Sequence, residues 1–284
     1  PISLTYVFGY EFRNGLKKIK TLTSKPIGMN ALIEKSSKKY ATIMSSWVDI
    51  ALEEGVRFYI TSLGNPRWVV ERVHMAGGKV YHDVTETKWA HKARDAGVDG
   101  LIAVNNSAGG HAGHLSAQAL SEQLGELHMP TICAGGVSTV EDFSQALALG
   151  YSGVQMGTRF IATEECQVSA AYKQAIVMAG ESDIALTERI TGVPVSIIQS
   201  AWVHSKGLKP GVIARYLLQH RYGKYLLRSL YALRSLYQLK HSSFAPDSKK
   251  GYWQAGKSVA GIHSVTSAHS IVRQFAQAMA AIAG

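Results

Sequence analysis

Short apolar, β-rich runs alternate along this chain with stretches whose apolar residues recur at helical spacing. PIGMN (26–30), RFYITS (57–62), KVYHDV (79–84), VDGLIAV (98–104), PTICAGG (130–136) and YSGVQMG (151–157) read as strands. Pro26 suits a strand start, because its missing N–H costs least there. Between them, ATIMSSWVDIALEEG (41–55) has helical spacing and ends on Gly55. NPRWVVERVHMAGG opens a helix with Asn65 as cap and Pro66 in the first turn. Thr85 opens a third helix, Ser116 a fourth and Ser138 a fifth, and a sixth is expected near 164–179.

Six β-then-α units with short loops predict a parallel sheet with helices outside it. Their near-uniform spacing predicts an α/β fold of the (β/α)₈ TIM-barrel class. ISLTYVFG (2–9) reads as a seventh strand, with FRNGLKKIKTL as its helix. No eighth strand is visible. An open barrel would expose a strand edge, so the first strand or strands are expected upstream of Pro1. Beyond residue 180 the pattern changes. ITGVPVSIIQ reads as irregular extended chain, 208–240 as helix rich in Tyr, Leu and Arg, 242–256 as a polar loop, and the last twenty residues as helix. The expected organisation is a barrel over 1–180. Residues 181–284 form a helical extension on its mouth that returns to the barrel at the C-terminus.

Composition narrows this picture. The 284 residues are 46% hydrophobic, enough for one large core. No apolar run approaches the ~20 residues that span a bilayer, and no basic-plus-apolar leader opens the sequence, which predicts a cytoplasmic protein. Cys133 and Cys166 show no metal-ligand spacing, so no metal site is expected, and two cysteines suggest a reducing compartment. The formal net charge of +10 is partly local: in 206–250 the many Lys and Arg face a single acid, Asp247. That region reads either as a packed subdomain with a basic face or as a docking surface for an acidic partner. No basic stripe interleaved with stacking aromatics points to nucleic acid.

In barrel enzymes chemistry sits at the C-terminal ends of strands. Those ends here are Met29-Asn30, Thr61-Ser62, His82-Asp83, the run NNSAGGHAGH (105–114), Ala134-Gly135-Gly136 and Gln155-Met156-Gly157-Thr158. CAGGVST and QMGTRF each place glycine between a strand and a helix start, where backbone N–H groups can approach an anion closely. Counted from a missing first strand they follow strands 7 and 8, the common phosphate site of this fold. The competing reading is a pair of tight turns. The run 105–114 holds three glycines, two alanines and two histidines and no aliphatic anchor. Its small residues leave room for something flat.

NSAGGHAG, PTICAGGVST, ALALGYSGVQMGTRFIATEE and YKQAI, in that order, resemble the nitronate monooxygenase family (formerly 2-nitropropane dioxygenases) of FMN-containing barrels. The match is strongest over roughly 98–200, weaker over 20–97, and YWQAGKSVAGI (252–262) is similar to the family's C-terminal return segment. The resemblance implies that Gly109 and Gly110, flanked by Ser107 and Ala108, lie against the flavin. It implies that the backbone of Ala134, Gly135 and Gly136 binds the FMN phosphate and that Gln155, Met156, Gly157 and Thr158 complete that pocket. Asn30 would touch the isoalloxazine ring, and His111 matches the family's active-site histidine. Ser107 stands in an Asn-Asn-Ser context where many members have Gly-x-Glu, and PISLTYVFG lacks the family's Pro-Met first strand.

A nitroalkane must lose the proton next to its nitro group to become a nitronate, and histidine suits that transfer near neutral pH. For a substrate arriving as nitronate, His111 would instead hold its negative oxygens. His82 reads either as a second substrate contact or as a satisfied structural histidine. Tyr252 and Lys257 read either as pocket-closing residues or as packing. The expected activity is FMN-dependent oxidation of nitronates or nitroalkanes with O2. The rivals are an NAD(P)H-dependent quinone or enoyl-thioester reductase and a non-catalytic flavin-binding barrel that docks an acidic protein through 206–250.

Overall fold

The computed structural model of this chain describes residues 9–33, 38–188, 194–200, 203, 205, 207–208 and 253–283. Strands β1 (Gly28–Leu32), β2 (Phe58–Ser62), β3 (Lys79–Val84), β4 (Gly100–Val104), β5 (Thr131–Ala134) and β6 (Gly153–Gln155) form one sheet, ordered as they occur in the chain. β1 through β4 pair in parallel. A helix links each strand to the next: α2 (Lys38–Glu53), α3 (Arg67–Met75), α4 (Thr87–Asp95), α5 (Ala117–Gly125) and α6 (Val140–Ala148). The architecture is therefore α/β with a parallel sheet, in the sequential order the alternation predicts. Before β1 stands α1 (Gly9–Leu22); Gly9 belongs to this helix, and residues 2–8 of the expected seventh strand lie outside the described residues.

Local chemistry sets most boundaries. Asn65 Oδ1 accepts from the Arg67 N–H at 3.0 Å, and Ser116 Oγ accepts from Ala119 at 3.1 Å. At α6 the cap is Thr139 rather than Ser138: Thr139 Oγ1 accepts from the Asp142 N–H, while Asp142 Oδ2 accepts from both Ser138 and Thr139 at 2.9 Å. α4 starts after Glu86, two residues beyond Thr85, and has no side-chain cap bond. β6 is shorter than 151–157 because the Tyr151 N–H closes the end of α6 on Ala146 O, and its hydroxyl donates to Ala117 O at 2.7 Å.

A one-turn helix α7 (Thr158–Ile161) precedes the helix expected near 164–179, which is α8 (Ala170–Met178), capped by Ser169. One expectation is corrected: ITGVPVSIIQ is partly regular. β8 (Val195–Ile198) pairs antiparallel with β7 (Ile184–Thr187) in a separate two-stranded sheet. The closing helix is α9 (Ala268–Ala283). The rest of the expected helix at 208–240 and of the loop 242–256, up to residue 252, lies outside the described residues.

The chain divides into two compact units, Pro1–Ala103 with Leu120–Ile132, and Val104–Ala119 with Cys133–Gly284. In the first, Phe12 and Leu16 of α1 lie one turn apart and are buried, with the Phe12 ring 5.5 Å from Trp47 of α2. Met29, Ala31, Tyr59, Thr61, Val80, His82 and Leu101 are buried along the strands. Tyr59 Oη comes within 3.5 Å of Val48 O in α2, so this is the helix-covered face. Strand alternation sends Asn30, Ile60, Ser62, Tyr81 and Asp83 to the other. In the second unit, Ala162, Tyr172, Ile176, Ile198, Ala255, Val259 and Ile262 form one cluster. Phe143 of α6 meets Phe275 of α9 edge-on at 5.5 Å.

Candidate active site

Asn105 organises the small-residue loop. It directly follows β4, almost completely buried, and its side chain is fully employed. Nδ2 donates to Gly135 O at 2.9 Å, Oδ1 accepts from the Ser107 N–H at 2.8 Å, and its backbone N–H donates to Ala134 O at 3.0 Å. One amide thus ties loop 105–110 to the turn after β5. The Oδ1 bond to the residue two ahead is an Asx turn, so Asn at a strand end before small residues was the available signal for a role that motif reading missed.

The glycines divide by what they touch. Gly135 has φ +115, and a Cβ there would stand 2.4 Å from Asn105 Oδ1 and 2.5 Å from Ala108 N. Gly136 has φ +81 and would meet Ser107 Cβ at 3.2 Å. Both are needed by the turn itself. Gly109 backs onto the return segment: its Cβ would stand 2.9 Å from Gly256 N and 3.3 Å from Thr158 Oγ1. Gly256 would meet Ser107 O at 2.5 Å. The resemblance places Gly109 against flavin, and the packing adds this second reason for its bare Cα.

Gly157 differs. Its φ is −112, which any residue adopts, and nothing lies within 4 Å of a Cβ built there. It is exposed, between β6 and the start of α7. Neither backbone nor packing requires glycine at this position. Among the described residues, the backbone N–H groups of Gly135, Gly136 and Gly157 donate no hydrogen bond to protein. Thr158 is buried, and its Oγ1 accepts from the Gly256 N–H at 3.0 Å, which leaves its hydroxyl proton to give. Arg159 is buried with neutral partners only, Ser264 O at 3.2 Å and Thr266 Oγ1 at 2.5 Å among them, and fixes α7 to the return segment. Burial lowers its pKa.

Gly110 O accepts from Ser196 of β8 at 2.8 Å, and the two residues form an antiparallel bridge. His111 is exposed immediately after this clamp. The Lys257 N–H donates to Ser107 O at 2.9 Å, and its ammonium pairs with Glu181 at 3.0 Å. Ser107 to Gly110, Ala134 to Gly136, Gln155 to Thr158, His111 and Lys257 thus all belong to the second unit. Tyr252 and most of the basic stretch 206–250 lie outside the described residues.

Asn30 and His82 belong to the first unit. Thr61 Oγ1 donates to Tyr81 O at 3.2 Å and lies 2.8 Å from His82 Nδ1. With the hydroxyl proton on Tyr81 O, Nδ1–H donates to Thr61. Burial lowers the His82 pKa to about 4, so the ring is neutral. His82 lies on the face opposite Asn30, and its bonds are those of the structural alternative. Asp83, the next residue, shares the face of Asn30, and burial pushes its carboxyl up to about 7.

These two shifts have opposite signs for stability. Asp83 favours the fold most when protonated: its contribution is full below its ordinary pKa of 3.8 and is lost as pH rises toward 7. His82 favours the fold when neutral: its contribution is full above 6.5 and is lost as pH falls toward 4. Asp83→Asn should therefore raise stability at pH 8, by at most about 4 kcal/mol. It should also steepen the loss between pH 6.5 and 4, because the opposing slope is gone. Thermal unfolding from pH 4 to 8 checks both; parallel curves for the two proteins would contradict the assignment.

The family model described as nitronate monooxygenase matches residues 3–278. A Rhodococcus jostii (3aS,4S,5R,7aS)-5-hydroxy-7a-methyl-1-oxo-octahydro-1H-indene-4-carboxyl-CoA dehydrogenase is 28% identical over 72% of this chain and 55% of its own. A probable nitronate monooxygenase of Staphylococcus saprophyticus is 29% identical over 61% of this chain and 53% of its own. The chain thus spans a little over half the length of these curated relatives. Nitroalkane oxidase from Streptomyces ansochromogenes superposes with a TM-score of 0.77 at 21% identity, covering 96% of this chain and 87% of that one. FabK from Thermotoga maritima does so with 0.77 at 23%, covering 98% and 83%. These two likenesses show a shared fold. Among the described residues no helix is long and apolar enough to cross a membrane.

Proposed function

Because the chain belongs to the nitronate monooxygenase family, we propose that it is an FMN-dependent oxidoreductase that oxidises nitronates or nitroalkanes with O2. Gly157 carries the reading: a glycine with no backbone or packing need, beside Thr158 at a strand-to-helix turn, is best explained by a ligand occupying the space of a side chain. The backbone N–H groups of Gly135, Gly136 and Gly157 and the Thr158 hydroxyl are all donors, as a phosphate requires. The residues present fit the group.

In this reading Gly135, Gly136, Gly157 and Thr158 hold the FMN phosphate, with Ala134, Gln155 and Met156 shaping the turn. Ser107, Ala108, Gly109 and Gly110 would line the ring; Asn30, in the other unit, keeps a buried Oδ1 with no protein partner. Bound FMN would supply the electron acceptor for the nitronate and the route to O2. His111 takes the proton from the carbon next to the nitro group of a neutral nitroalkane, on its unprotonated ring nitrogen, and holds the nitronate oxygens once protonated. The anchor Gly110–Ser196 fixes the chain from which His111 projects. The six-stranded sheet is read as part of an eight-stranded barrel over 1–180, with 181–284 as its C-terminal elaboration.

The test is the visible spectrum of the purified protein, followed by propyl-1-nitronate in air and, separately, NADH without oxygen. Yellow protein that consumes O2 with the nitronate and is not bleached by NADH is the expected result. Bleaching by NADH would replace this reading with a reductase, and a colourless protein that takes up no FMN would end both.

A further inference from the structure

Gln254 lies on the return segment, half-buried, with its main chain fixed at two points. It forms an antiparallel bridge with Ile197 of β8, and its carbonyl accepts from the Tyr172 hydroxyl at 2.5 Å. Trp253 O accepts from the Ile198 N–H at 2.8 Å, and the Trp253 ring stacks on Tyr172 with centroids 6.1 Å apart. Trp253 thus packs on the core cluster of the second unit. Successive side chains of an extended segment point to opposite sides, so the side chain of Gln254 points away from that cluster. The same strand, β8, holds Gly110 through Ser196. Gln254 Oε1 lies 3.8 Å from where a Cβ on Gly110 would stand, and no other atom of the described residues comes as close to that point. β8 therefore sets a carboxamide beside the loop from which His111 projects. All of these residues belong to the second unit.

Among the described residues the Gln254 carboxamide makes no hydrogen bond, although the main chain of the same residue is held on both sides. A carboxamide offers two N–H donors and one acceptor. The cations tied to the return segment are committed elsewhere, Lys257 to Glu181 at 3.0 Å and Arg159 to Ser264 O and Thr266 Oγ1. A nitro group and the nitronate formed from it each present two oxygens. A protonated His111 serves one of them and leaves the other to be paired. A neutral donor on a pinned segment meets that need, and its bond strengthens as the oxygens gain charge.

We propose that the Gln254 carboxamide binds substrate, donating to a nitro-group oxygen beside His111 and so holding the reacting carbon against that base. The inference deepens the oxidoreductase reading and rests on it for the nitro group and for His111; the pinned and unused carboxamide beside Gly110 does not depend on it. Gln254 moves no proton. Its bond is stronger to the nitronate, whose oxygens carry the charge, than to the neutral nitroalkane.

Gln254→Leu is similar in size and removes the donors. On the flavin-loaded enzyme it should raise KM for propyl-1-nitronate about tenfold or more and KM for 1-nitropropane about threefold, with FMN affinity unchanged. Gln254→Glu, of the parent shape but negative, should raise the nitronate KM further. Equal changes in the two KM values, or none, overturn the proposal, because a general disturbance of the loop would not distinguish the substrates. A second measurement needs no turnover. Butyrate carries two carboxylate oxygens where propyl-1-nitronate carries its nitronate oxygens. The side-chain amide signals of Gln254, identified by their loss in Gln254→Leu, are followed by nitrogen-15 NMR as butyrate is added to the purified protein. Movement supports the contact even if neither nitro compound is oxidised, a result that would sink only the oxidoreductase reading. No movement overturns the contact.

Discussion

Gly157→Val is expected to fold as the parent does and to bind FMN about tenfold to a hundredfold more weakly. Valine is chosen because the position makes no demand of its own. Its φ of −112 lies outside the left-handed region that requires glycine, and no atom lies within 4 Å of the new Cβ. With the melting temperature unchanged, a penalty in FMN affinity would point to a ligand that needs the space. Forcing methyl groups into an occupied site costs roughly 1–3 kcal/mol, which is the stated range of affinity. The comparison is Gly135→Ala, where Cβ would strike Asn105 Oδ1 and Ala108 N at a φ of +115. That variant should lose flavin because the turn itself is lost, with a lower melting temperature. Fluorescence titration with FMN, beside thermal unfolding, separates the two. Unchanged FMN affinity in Gly157→Val would show that nothing occupies the space beside Gly157.

The second large effect concerns His111. His111→Ala should keep its FMN and lose about a hundredfold to ten-thousandfold in turnover of neutral nitroalkane, the usual worth of a positioned general base. Turnover of a preformed nitronate should fall much less, because no C–H proton has then to be removed. The ratio of the two rates is the diagnostic. His111 is exposed and follows a residue held by β8, and thermal unfolding run beside the kinetics separates any change in stability from the loss of turnover. Equal losses with both substrates would make it an anion-binding residue, and no loss with either would remove it from the mechanism.

The face on which a side chain lies was the least legible feature of the sequence. KVYHDV reads as a strand because β-branched and apolar residues sit between Gly-Gly and a helix start, and β3 spans those same six residues. Strand alternation then guarantees that His82 and Asp83 point to opposite faces. The one facing α2 was decided by the packing of Tyr59 against Val48, twenty or more residues away. Histidine drew attention for its chemistry, while the orphaned oxygen belongs to its neighbour. The β7–β8 pair was missed for a related reason: its four-residue strands have no tight hairpin signal between them.

The sequence by itself determined the alternation of strands and helices, the strand ends at which chemistry is expected, and the family. These depend on local periodicity, capping groups and glycine-bearing turns, each written within a few consecutive residues. Only the tertiary structure decided why each glycine is a glycine. Gly109 is pressed by Gly256, almost 150 positions away in the chain, Gly135 by Asn105 and Ala108, and Gly157 by nothing. A missing side chain reads the same in a sequence whether protein or ligand needs its space. Which one does is a property of neighbours brought close by folding.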